Sequence, residues 1–453
     1  MGKTAAVVLA AGKGTRMKSE TPKVLFPVAG KPMLQHIIDA LGKVGIEDIF
    51  TVIGYGADQV RAAISGPITW VEQFEQLGTG HALAQAARNL RGYGGDVLVL
   101  AGDTPLLTAD SLKQLIVEHK EYKNAATVLS ARVPQPTGYG RIVRGSNGSI
   151  ISITEERDAD ASQKKINEIN SGAYCFNWNK VEALLDRLST NNAQGEYYLT
   201  DIFSLLVLNG EQTGAFTVAD HREILGTNDR IQLAWAEKIM RLRISHRLMQ
   251  QGISIVNPET TWIDADVQVG AETIIYPNTY LKGGTIIGGS CIIGPDVTID
   301  TSHLGEGVLV RYSVLEQASV GDGSTVGPFA YLRPGADIGS KVKVGDFVEI
   351  KNSQIGDGSK VPHLAYVGDA KVGSNSNVGC GVITANYDGC HKHKTEIGDG
   401  VFIGSNSNLV APVKIEDGAY VAAGSTITEN VPAKGLAIAR ARQTNKTDWR
   451  RTE

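Results

Sequence analysis

The C-terminal part of the sequence repeats an aliphatic residue every six positions. The repeat runs through three stretches, 263–299, 320–350 and 397–427, and its phase slips by one residue at 350→355 and again at 367→372. A helix cannot place a period of six on one face, whereas each hexad of a parallel β-helix forms one flat face with its aliphatic residue pointing inward. The sequence therefore predicts a left-handed parallel β-helix, in preference to a generic glycine-rich β region.

The N-terminal part instead alternates short apolar runs with helical patterns. The runs 5–9 and 96–100 are typical of fully buried parallel strands, and 125–131 is a further strand candidate. Between the first two runs, apolar residues recur at helical spacing after Pro32. This alternation predicts βαβ units in a doubly wound, Rossmann-like α/β domain that binds ligands at the carboxyl ends of its strands.

A helical pattern joins the two parts. Apolar residues lie three or four positions apart from Ile231 to Met249, and Gly252 is suited to end a helix. Twenty residues make a helix of roughly 30 Å. We therefore expect a nucleotide-binding domain at 1–228, a connecting helix at 229–252 and the β-helix domain at 253–453.

Composition excludes several classes of protein. A formal net charge of -4 over 453 residues argues against a broad polybasic surface for nucleic acid. No apolar run approaches the length of about 18 residues that a membrane helix needs. The four cysteines lack CxxC spacing, so neither a zinc cluster nor a disulfide framework is indicated. We expect a cytoplasmic protein without nucleic-acid or membrane partners.

The first strand is followed by the loop Leu-Ala-Ala-Gly-Lys-Gly-Thr-Arg at 9–16. It lacks the Walker A pattern, and Met17 stands where the Rossmann fingerprint needs a third small residue. Its backbone N–H groups could approach a polyphosphate, with Lys13, Arg16 and Lys23 as counter-charges. A tight surface turn with solvated lysines explains the loop alone equally well.

Further motifs follow at positions suited to the same crevice. A second glycine pair lies at 76–80 and is preceded by Gln73, whose amide could contact a base edge. Asp103 follows the strand 96–100, where an acid would face the ligand, although without the other motifs a role in holding the turn before Pro105 would be favoured. Asn228 has a plain alternative as the N-cap of the long helix.

Together the motifs LAAGxGTR (9–16), PK (22–23), QLGTG (76–80), GD (102–103), TGYGR (137–141) and EINSG (168–172) resemble those of the sugar-phosphate nucleotidyltransferases. With the hexapeptide repeats attached, nearly the whole chain is similar to a bacterial family of bifunctional enzymes. Members of this family acetylate glucosamine 1-phosphate with acetyl-CoA and then join the N-acetylglucosamine 1-phosphate to UTP. The resemblance implies UDP-N-acetylglucosamine synthesis by a homotrimer.

The resemblance also implies residues for the first site. Mg²⁺ would be carried by Asp103 and Asn228. The nucleotide and the sugar would be bound by residues of several motifs: Leu9, Ala10, Ala11, Gly12, Arg16, Lys23, Gln73, Gly78, Thr79, Ala101, Gly102, Gly140, Glu155, Asn170 and Asn228. Some members carry an aromatic residue where this chain has Ala101, so a stacking or hydroxyl contact from that position is not expected here.

In the β-helix, polar residues depart from the repeat near both phase slips. Arg333 and Lys351 are separated by three hexads, so they should be neighbours on adjacent coils and could bind an anion, although a solvated surface pair is an even alternative. A lone histidine such as His363 is more often structural than catalytic, yet acetylating an amine near pH 7 needs a proton acceptor, which imidazole supplies. Residues 384–395 break the repeat and predict a projecting loop.

For this second site the resemblance implies His363 as the general base. Arg333, Lys351, Tyr366 and Asn377 would bind the sugar phosphate. The acetyl-CoA groove would be lined by Cys380, Asn386, Tyr387, Ser405, Ala423 and Arg440. Cys380 replaces an alanine that is common in the family, so a contact made by the backbone would persist.

Two other hypotheses stay open on the sequence. The chain could catalyse only nucleotidyl transfer, with the β-helix as an oligomerisation or regulatory module. It could also be a non-catalytic scaffold with a degenerate nucleotide fold. Release of the CoA thiol tests the first alternative, and release of pyrophosphate from UTP tests the second.

Overall fold

The computed structural model describes residues 3–449 and contains two compact units that divide after Met240. The division falls inside the helix Arg230–Gln250. This helix lies within the segment 229–252 that was predicted to be helical, and Gly252 follows it with φ 91°. Among the described residues, none of the helices combines the length and apolar character needed to cross a bilayer.

The first unit is built on a sheet that has nine strands within the described residues. Its main path runs in the order Thr213–Thr217, Ala126–Arg132, Glu168–Asn177, Asp96–Ala101, Thr4–Ala10, Ile49–Ile53 and Ile68–Glu72, and the hairpin Arg141–Arg144 with Ile150–Thr154 joins it beside Glu168–Asn177. The α-helices of this unit that lie before the connecting helix are Met33–Val44, Ala57–Ala63, Thr79–Ala87, Ala109–Glu121, Trp178–Val181 and Asp201–Leu208.

Apolar side chains cover both faces of this sheet. Along Thr4–Ala10, Ala5 and Val7 face one core, and Ala6 and Val8 face the other. This alternation explains why the strand reads as a continuous apolar run, because both of its faces are buried. The predicted α/β fold is confirmed, and the strands and the helix after Pro32 lie within a few residues of the predicted positions.

On the main path of the sheet, one strand departs from the expected parallel arrangement. Glu168–Asn177 runs antiparallel to both Asp96–Ala101 and Ala126–Arg132. The chain reaches this strand through the hairpin rather than through a helical crossover, and without a crossover the strand returns in the opposite direction. The sheet is therefore mixed.

The second unit is a prism of short parallel strands. Face 1 runs from Ser254–Ile255 to Leu436–Ala437, face 2 from Trp262–Ile263 to Thr426–Ile427, and face 3 from Gln268–Val269 to Val413–Ile415. The repeated aliphatic residues point inward, and most are fully buried. The predicted β-helix is thus confirmed.

Coil length explains the two phase slips. On face 3, Ile338 pairs with Ile355 and Ile355 pairs with Val372, so each of these coils is one residue shorter than three full hexads. The next coil places Val372 beside Ile397, a much longer step that leaves room for the projecting loop. A residue lost from a turn therefore keeps the aliphatic side chain inside while shifting the sequence phase.

The corner between faces 1 and 2 carries unusual turn residues. Tyr312, Phe329, Phe347 and Leu364 occupy it on consecutive coils with φ between 43° and 58°. The rings of Phe329 and Phe347 stack with centroids 5.4 Å apart. All four side chains are exposed, from 42% for Tyr312 to 60% for Leu364.

Candidate active sites

The first unit contains a cavity of about 510 Å³ at the carboxyl ends of the strands Thr4–Ala10 and Asp96–Ala101. This volume is in the range of pockets that bind small ligands. Twelve of the residues predicted for this site line the cavity: Leu9, Ala10, Ala11, Gly12, Lys23, Gln73, Gly78, Thr79, Ala101, Asp103, Glu155 and Asn170.

The glycine-rich loop folds closely against Lys23. Gly14 has φ 63°, and a Cβ atom there would lie 2.6 Å from the Cβ of Lys23. Only glycine fits this combination of backbone conformation and contact. The loop therefore brings its backbone beside the lysine that reaches into the cavity.

Oxygen atoms converge on a cation at the base of the cavity. The ammonium group of Lys23 contacts the carboxylate of Asp103 and lies 3.1 Å from Oδ1 of Asn228. The Asp103 carbonyl accepts a hydrogen bond from the N–H of Thr227, which holds the segment before Asn228 in place. A carboxylate and an amide oxygen are ligands suited to Mg²⁺, which usually takes its other ligands from substrate phosphates and water.

The other side of the cavity is built around Glu155 and Asn170. Thr200 donates a hydrogen bond to Glu155 at 3.2 Å, and the amide of Asn170 donates to the hydroxyl of Tyr174 at 2.8 Å. Burial raises the pKa of Glu155, and the hydrogen bond from Thr200 opposes that shift. Gly140 accepts from the N–H of Asn170, so it lies beside both polar residues.

Four predicted residues are not among those that line the cavity: Arg16, Gly102, Gly140 and Asn228. Arg16 is exposed on the short 3-10 helix Thr15–Met17, and the N–H of Gly102 donates a hydrogen bond to the Leu9 carbonyl.

Gln73 lines the cavity, but its amide nitrogen lies 2.9 Å from Nδ1 of His81, so that nitrogen is already engaged within the protein.

Sequence reasoning missed three polar residues that line the cavity. These residues are Tyr174, Glu196 and Thr200. Tyr174 reads as part of an apolar strand, and the other two lie in a segment without regular periodicity. Contact between Thr200 and Glu155 joins distant parts of the sequence and depends on the fold.

In the second unit, a histidine and a carboxylate meet on adjacent coils of face 1. Nδ1 of His363 lies 2.5 Å from Oδ1 of Asp346. Both side chains remain open to solvent, with 53% of His363 exposed. The hydrogen bond with His363 lowers the pKa of Asp346. Sequence reasoning missed Asp346, because the contact depends on a coil that is one residue shorter than three hexads.

Several residues predicted to line the acetyl-CoA groove continue this column. Lys360 pairs with Asn377 on face 1, so Cys380 follows His363 on the next coil. The Cys380 carbonyl accepts a hydrogen bond from the N–H of Asn406. On the following coil, the Ser405 carbonyl accepts a hydrogen bond from the N–H of Gly424. The guanidinium of Arg440 then donates a hydrogen bond to the Ala423 carbonyl at 2.8 Å. The structure thus brings Cys380, Ser405, Ala423 and Arg440 together along the corner beyond His363.

Cationic side chains gather on face 2. Leu332 pairs with Ile350, which places Arg333 beside Lys351 as the spacing predicts. The guanidinium of Arg333 also donates to Glu349 at 2.7 Å.

A further lysine joins these cations from the projecting loop. The ammonium group of Lys351 is close enough to that of Lys392 to lower the pKa of Lys392. Tyr366 lies near both Arg333 and Lys392. Lys392 was not predicted, since nothing in its own sequence neighbourhood places it on face 2.

The remaining predicted residues are divided between corners and faces. Asn386 is buried at the corner between faces 2 and 3, where its amide donates to Asp369. Tyr387 is exposed on the loop, and its hydroxyl donates to the Gly389 carbonyl. Asn377 lies on face 1, whereas Arg333, Lys351 and Tyr366 lie on face 2. The sugar-phosphate candidates therefore occupy two faces of one chain.

Two family models match the chain. A MobA-like NTP transferase domain matches residues 6–165. The bacterial transferase hexapeptide, six repeats, matches residues 394–429.

Curated relatives match over nearly the full length. "Bifunctional protein GlmU" of Brevibacillus brevis is 51% identical over 449 residues, covering 99% of this chain and 97% of the relative. The protein of the same name from Clostridioides difficile is 50% identical over 98% of this chain and 96% of the relative. The protein of the same name from Carboxydothermus hydrogenoformans is 51% identical over 98% of this chain and 99% of the relative.

Proposed function

The chain belongs to the family of bifunctional GlmU proteins, and from that premise we propose that each of its two units carries one of the two transferase sites. The enzyme makes UDP-N-acetylglucosamine by acetyl transfer and uridylyl transfer, and it acts on small-molecule substrates. We assign uridylyl transfer to 1–228 and acetyl transfer to 253–453, with the helical segment 229–252 as the connection.

Uridylyl transfer is assigned to the cavity of the first unit. The glycine-rich loop and Lys23 would bind the phosphates of UTP, and Glu155 with Asn170 would hold the N-acetylglucosamine 1-phosphate. The sugar phosphate attacks the α-phosphorus through one of its own oxygens, a new P–O bond forms, and pyrophosphate leaves with the electrons of the broken bond. A phosphate monoester has a second pKa of about 6, so the attacking group needs alignment more than a protein base.

Asp103 and Asn228 would hold Mg²⁺ in this site. The convergence of their oxygens on the Lys23 ammonium supports that assignment, since the same two groups already stabilise a positive charge. When bound, the ion would neutralise charge on the reacting phosphates. Lys23 would then be released from Asp103 toward a phosphate, which gives this lysine a role in both states of the site.

Acetyl transfer is assigned to face 1 and face 2 of the β-helix. Asp346 orients His363 through Nδ1, so the other ring nitrogen, Nε2, can accept the proton of the attacking amine. The amine of glucosamine 1-phosphate attacks the acetyl-CoA carbonyl, the C–N bond forms, and the CoA thiolate leaves. The column from Cys380 to Arg440 would bind acetyl-CoA.

The phosphate of the acetyl acceptor would bind to the cations of face 2. Lys351 and Lys392 hold two positive charges close together, and a bound phosphate would reduce their repulsion. Arg333 would add a planar donor set beside them, in exchange for its contact with Glu349.

We further propose that the protein is a homotrimer assembled along the corner between faces 1 and 2. The turn position on this corner is held by Asn278 and Asp296 before the apolar stretch and by Gly381 after it, all residues suited to positive φ. In between, four bulky apolar residues accept this strained conformation while exposing their side chains (Tyr312, Phe329, Phe347 and Leu364).

Strained and exposed apolar residues favour burial by another chain. A second copy packed on this corner would also bring its face 1, with Asn377, toward face 2 of the first copy. That arrangement would unite the sugar-phosphate residues that one chain divides between two faces.

A cytoplasmic location suits the cysteines. All four are free, and Cys175 and Cys291 are buried thiols. Free thiols persist in a reducing compartment.

The assignment of two activities to one chain depends on finding both sites in it. The pairing of His363 with Asp346 supports acetyl transfer, and the cavity of the first unit with its Lys23–Asp103 ion pair supports uridylyl transfer. Two separate assays test this assignment. Thiol should be released from acetyl-CoA only when glucosamine 1-phosphate is present, and pyrophosphate should be released from UTP only with N-acetylglucosamine 1-phosphate and Mg²⁺. Pyrophosphate release without thiol release would leave a nucleotidyltransferase alone. Absence of both would favour a scaffold.

A further inference from the structure

A buried carboxylate lies at the base of the projecting loop. Asp369 is only 8% exposed and occupies the corner between faces 2 and 3. One of its oxygens accepts a hydrogen bond from the amide of Asn352 at 2.6 Å, and the other accepts from the amide of Asn386. These three residues hold the same turn position on consecutive coils, so Asp369 is hydrogen-bonded to one neighbour on the preceding coil and to one on the following coil.

Asp369 fixes both ends of the loop. Its side chain bonds Asn386, where the loop leaves the coil, and its backbone carbonyl accepts from the N–H of Thr395, where the loop returns. A carboxylate that is removed from water needs such partners, because a buried charge without hydrogen bonds is strongly destabilising.

The loop is also bonded within itself. Asp388 accepts from the N–H groups of Cys390 and His391 and lies 2.6 Å from Nε2 of His393. The N–H of His393 donates back to the Asn386 carbonyl at 2.8 Å. The segment therefore behaves as one body whose position depends on its attachment at Asp369.

Electrostatics link this anchor to the phosphate site. Lys351 and Lys392 repel each other, and the carboxylate of Asp369 attracts both. Although burial opposes it, hydrogen bonds from Asn352 and Asn386 hold the pKa of Asp369 below its usual range. The carboxylate therefore remains charged at neutral pH and offsets the repulsion between the two lysines.

We propose that Asp369 is a positioning residue for acetyl transfer: it anchors the loop 386–394 so that Lys392 stands beside Lys351 and completes the binding site for the phosphate of the acetyl acceptor. This inference rests on the proposed acetyltransferase function of the β-helix. Asp369 itself contacts no substrate in this assignment. It acts through the placement of Lys392 and Asn386.

The test is Asp369→Asn in the full-length protein. An amide has one acceptor oxygen, so either Asn352 or Asn386 loses its partner, and the charge that steadies the lysines disappears. We expect the KM for glucosamine 1-phosphate to rise about 10-fold or more, in line with the loss of charged hydrogen bonds, with a much smaller change in kcat. Trypsin should also begin to cleave after Lys392 and Lys394.

Asp357→Asn is the matched control. Asp357 accepts a backbone hydrogen bond from Ser340 at 2.7 Å on another corner, so the same chemical change there should leave the KM and the loop cleavage unaltered. A milder second variant, Asn352→Gly, removes one donor to Asp369 at a position whose φ of 44° glycine adopts readily. It should raise the KM in the same direction by a smaller factor, which keeps the test open if Asp369→Asn does not fold.

A coupling experiment separates positioning from a general loss of stability. In a Lys392→Met background, Asp369→Asn should add no more than about 2-fold to the KM, because coupled residues are not additive. A full additional effect there, or a KM and a cleavage pattern equal to those of Asp357→Asn, would overturn the proposal. If the unaltered protein released no thiol at all, the acetyltransferase assignment would fail, and the loop cleavage would still decide whether Asp369 is the anchor.

Discussion

Nδ1 of His363 and Oδ1 of Asp346 lie 2.5 Å apart on neighbouring coils of the β-helix. The carboxylate favours the proton on Nδ1 and thereby leaves Nε2 as the acceptor. Because the two residues come from adjacent strands whose register is fixed by the solenoid, the orientation of the imidazole is set before substrate binds. This relationship gives the general-base assignment a physical basis.

Asp346→Asn should therefore impair acetyl transfer. An amide cannot stabilise the imidazolium that forms as His363 takes a proton, so we expect kcat for acetyl transfer to fall about 10-fold or more, and His363→Ala to lower it about 100-fold or more. Uridylyl transfer should not change in either variant. Asp337→Asn, on face 3, is the control. Activity of Asp346→Asn within two-fold of the unaltered protein would rule out the orienting role.

Asp103→Ala should abolish uridylyl transfer while acetyl transfer persists. The change removes the carboxylate on which the proposed metal site depends, and it also leaves the Lys23 ammonium without its ion pair. Pyrophosphate release measures the first activity and thiol release the second. Asp110→Ala, on the surface of the helix Ala109–Glu121, should behave normally. Retention of full uridylyl activity in Asp103→Ala would remove Asp103 from the mechanism.

Glu155→Gln should make the first unit more stable at neutral pH. Burial raises the pKa of Glu155 in the folded state, so folding binds a proton and stability falls as the pH rises from the unfolded pKa of about 4.3 to the higher folded value. Above this pH range Glu155 is ionised in the folded protein, and burying its charge lowers the stability of the fold. Glutamine carries no charge and avoids this loss of stability.

We expect the variant to unfold at a higher temperature than the unaltered protein at neutral pH. The gain should shrink as the pH falls toward about 4.3 and vanish below it, where Glu155 is protonated in both states. The transition to follow is the one that UTP with Mg²⁺ shifts upward. Glu121→Gln, at an exposed position, should show no gain. A lower unfolding temperature for Glu155→Gln at neutral pH would show that the charge is stabilising instead.

Phe347→Asp should disrupt assembly. Placing a carboxylate in the stacked column of Phe329 and Phe347 would bury a charge at the proposed contact between copies. Sedimentation should then show monomers, and acetyl transfer should be lost while uridylyl transfer remains. Leu208→Ser removes an even more exposed apolar side chain from the first unit and should leave the trimer intact. A trimer that persists in Phe347→Asp would exclude this corner as the interface.

The periodicity of the sequence was enough to predict both folds, because buried strands and inward-pointing hexad residues leave a direct pattern. It was harder to predict which residues become neighbours on adjacent coils. Arg333 and Lys351 follow the regular step of three hexads, whereas the step from Asp346 to His363 is one residue shorter and the step from Val372 to Ile397 is much longer. Coil length varies with the turns, and no local pattern specifies it.

The same limit applies to residues brought in from loops. Lys392 reaches face 2 only because the projecting loop folds back, and Thr200 reaches Glu155 across the cavity of the first unit. Such contacts depend on the packed structure as a whole. The antiparallel strand Glu168–Asn177 was missed for a related reason, since its direction is set by the connection that precedes it.

The most direct measurement supplies glucosamine 1-phosphate, acetyl-CoA, UTP and Mg²⁺ together and identifies the product by mass. We expect one nucleotide sugar, UDP-N-acetylglucosamine, with CoA and pyrophosphate formed in equal amounts. A mixture of the Asp103→Ala and His363→Ala proteins should give the same product, while neither variant alone should. Formation of only an acetylated sugar phosphate, or of no nucleotide sugar at all, would contradict the assignment of two consecutive transfers to this chain.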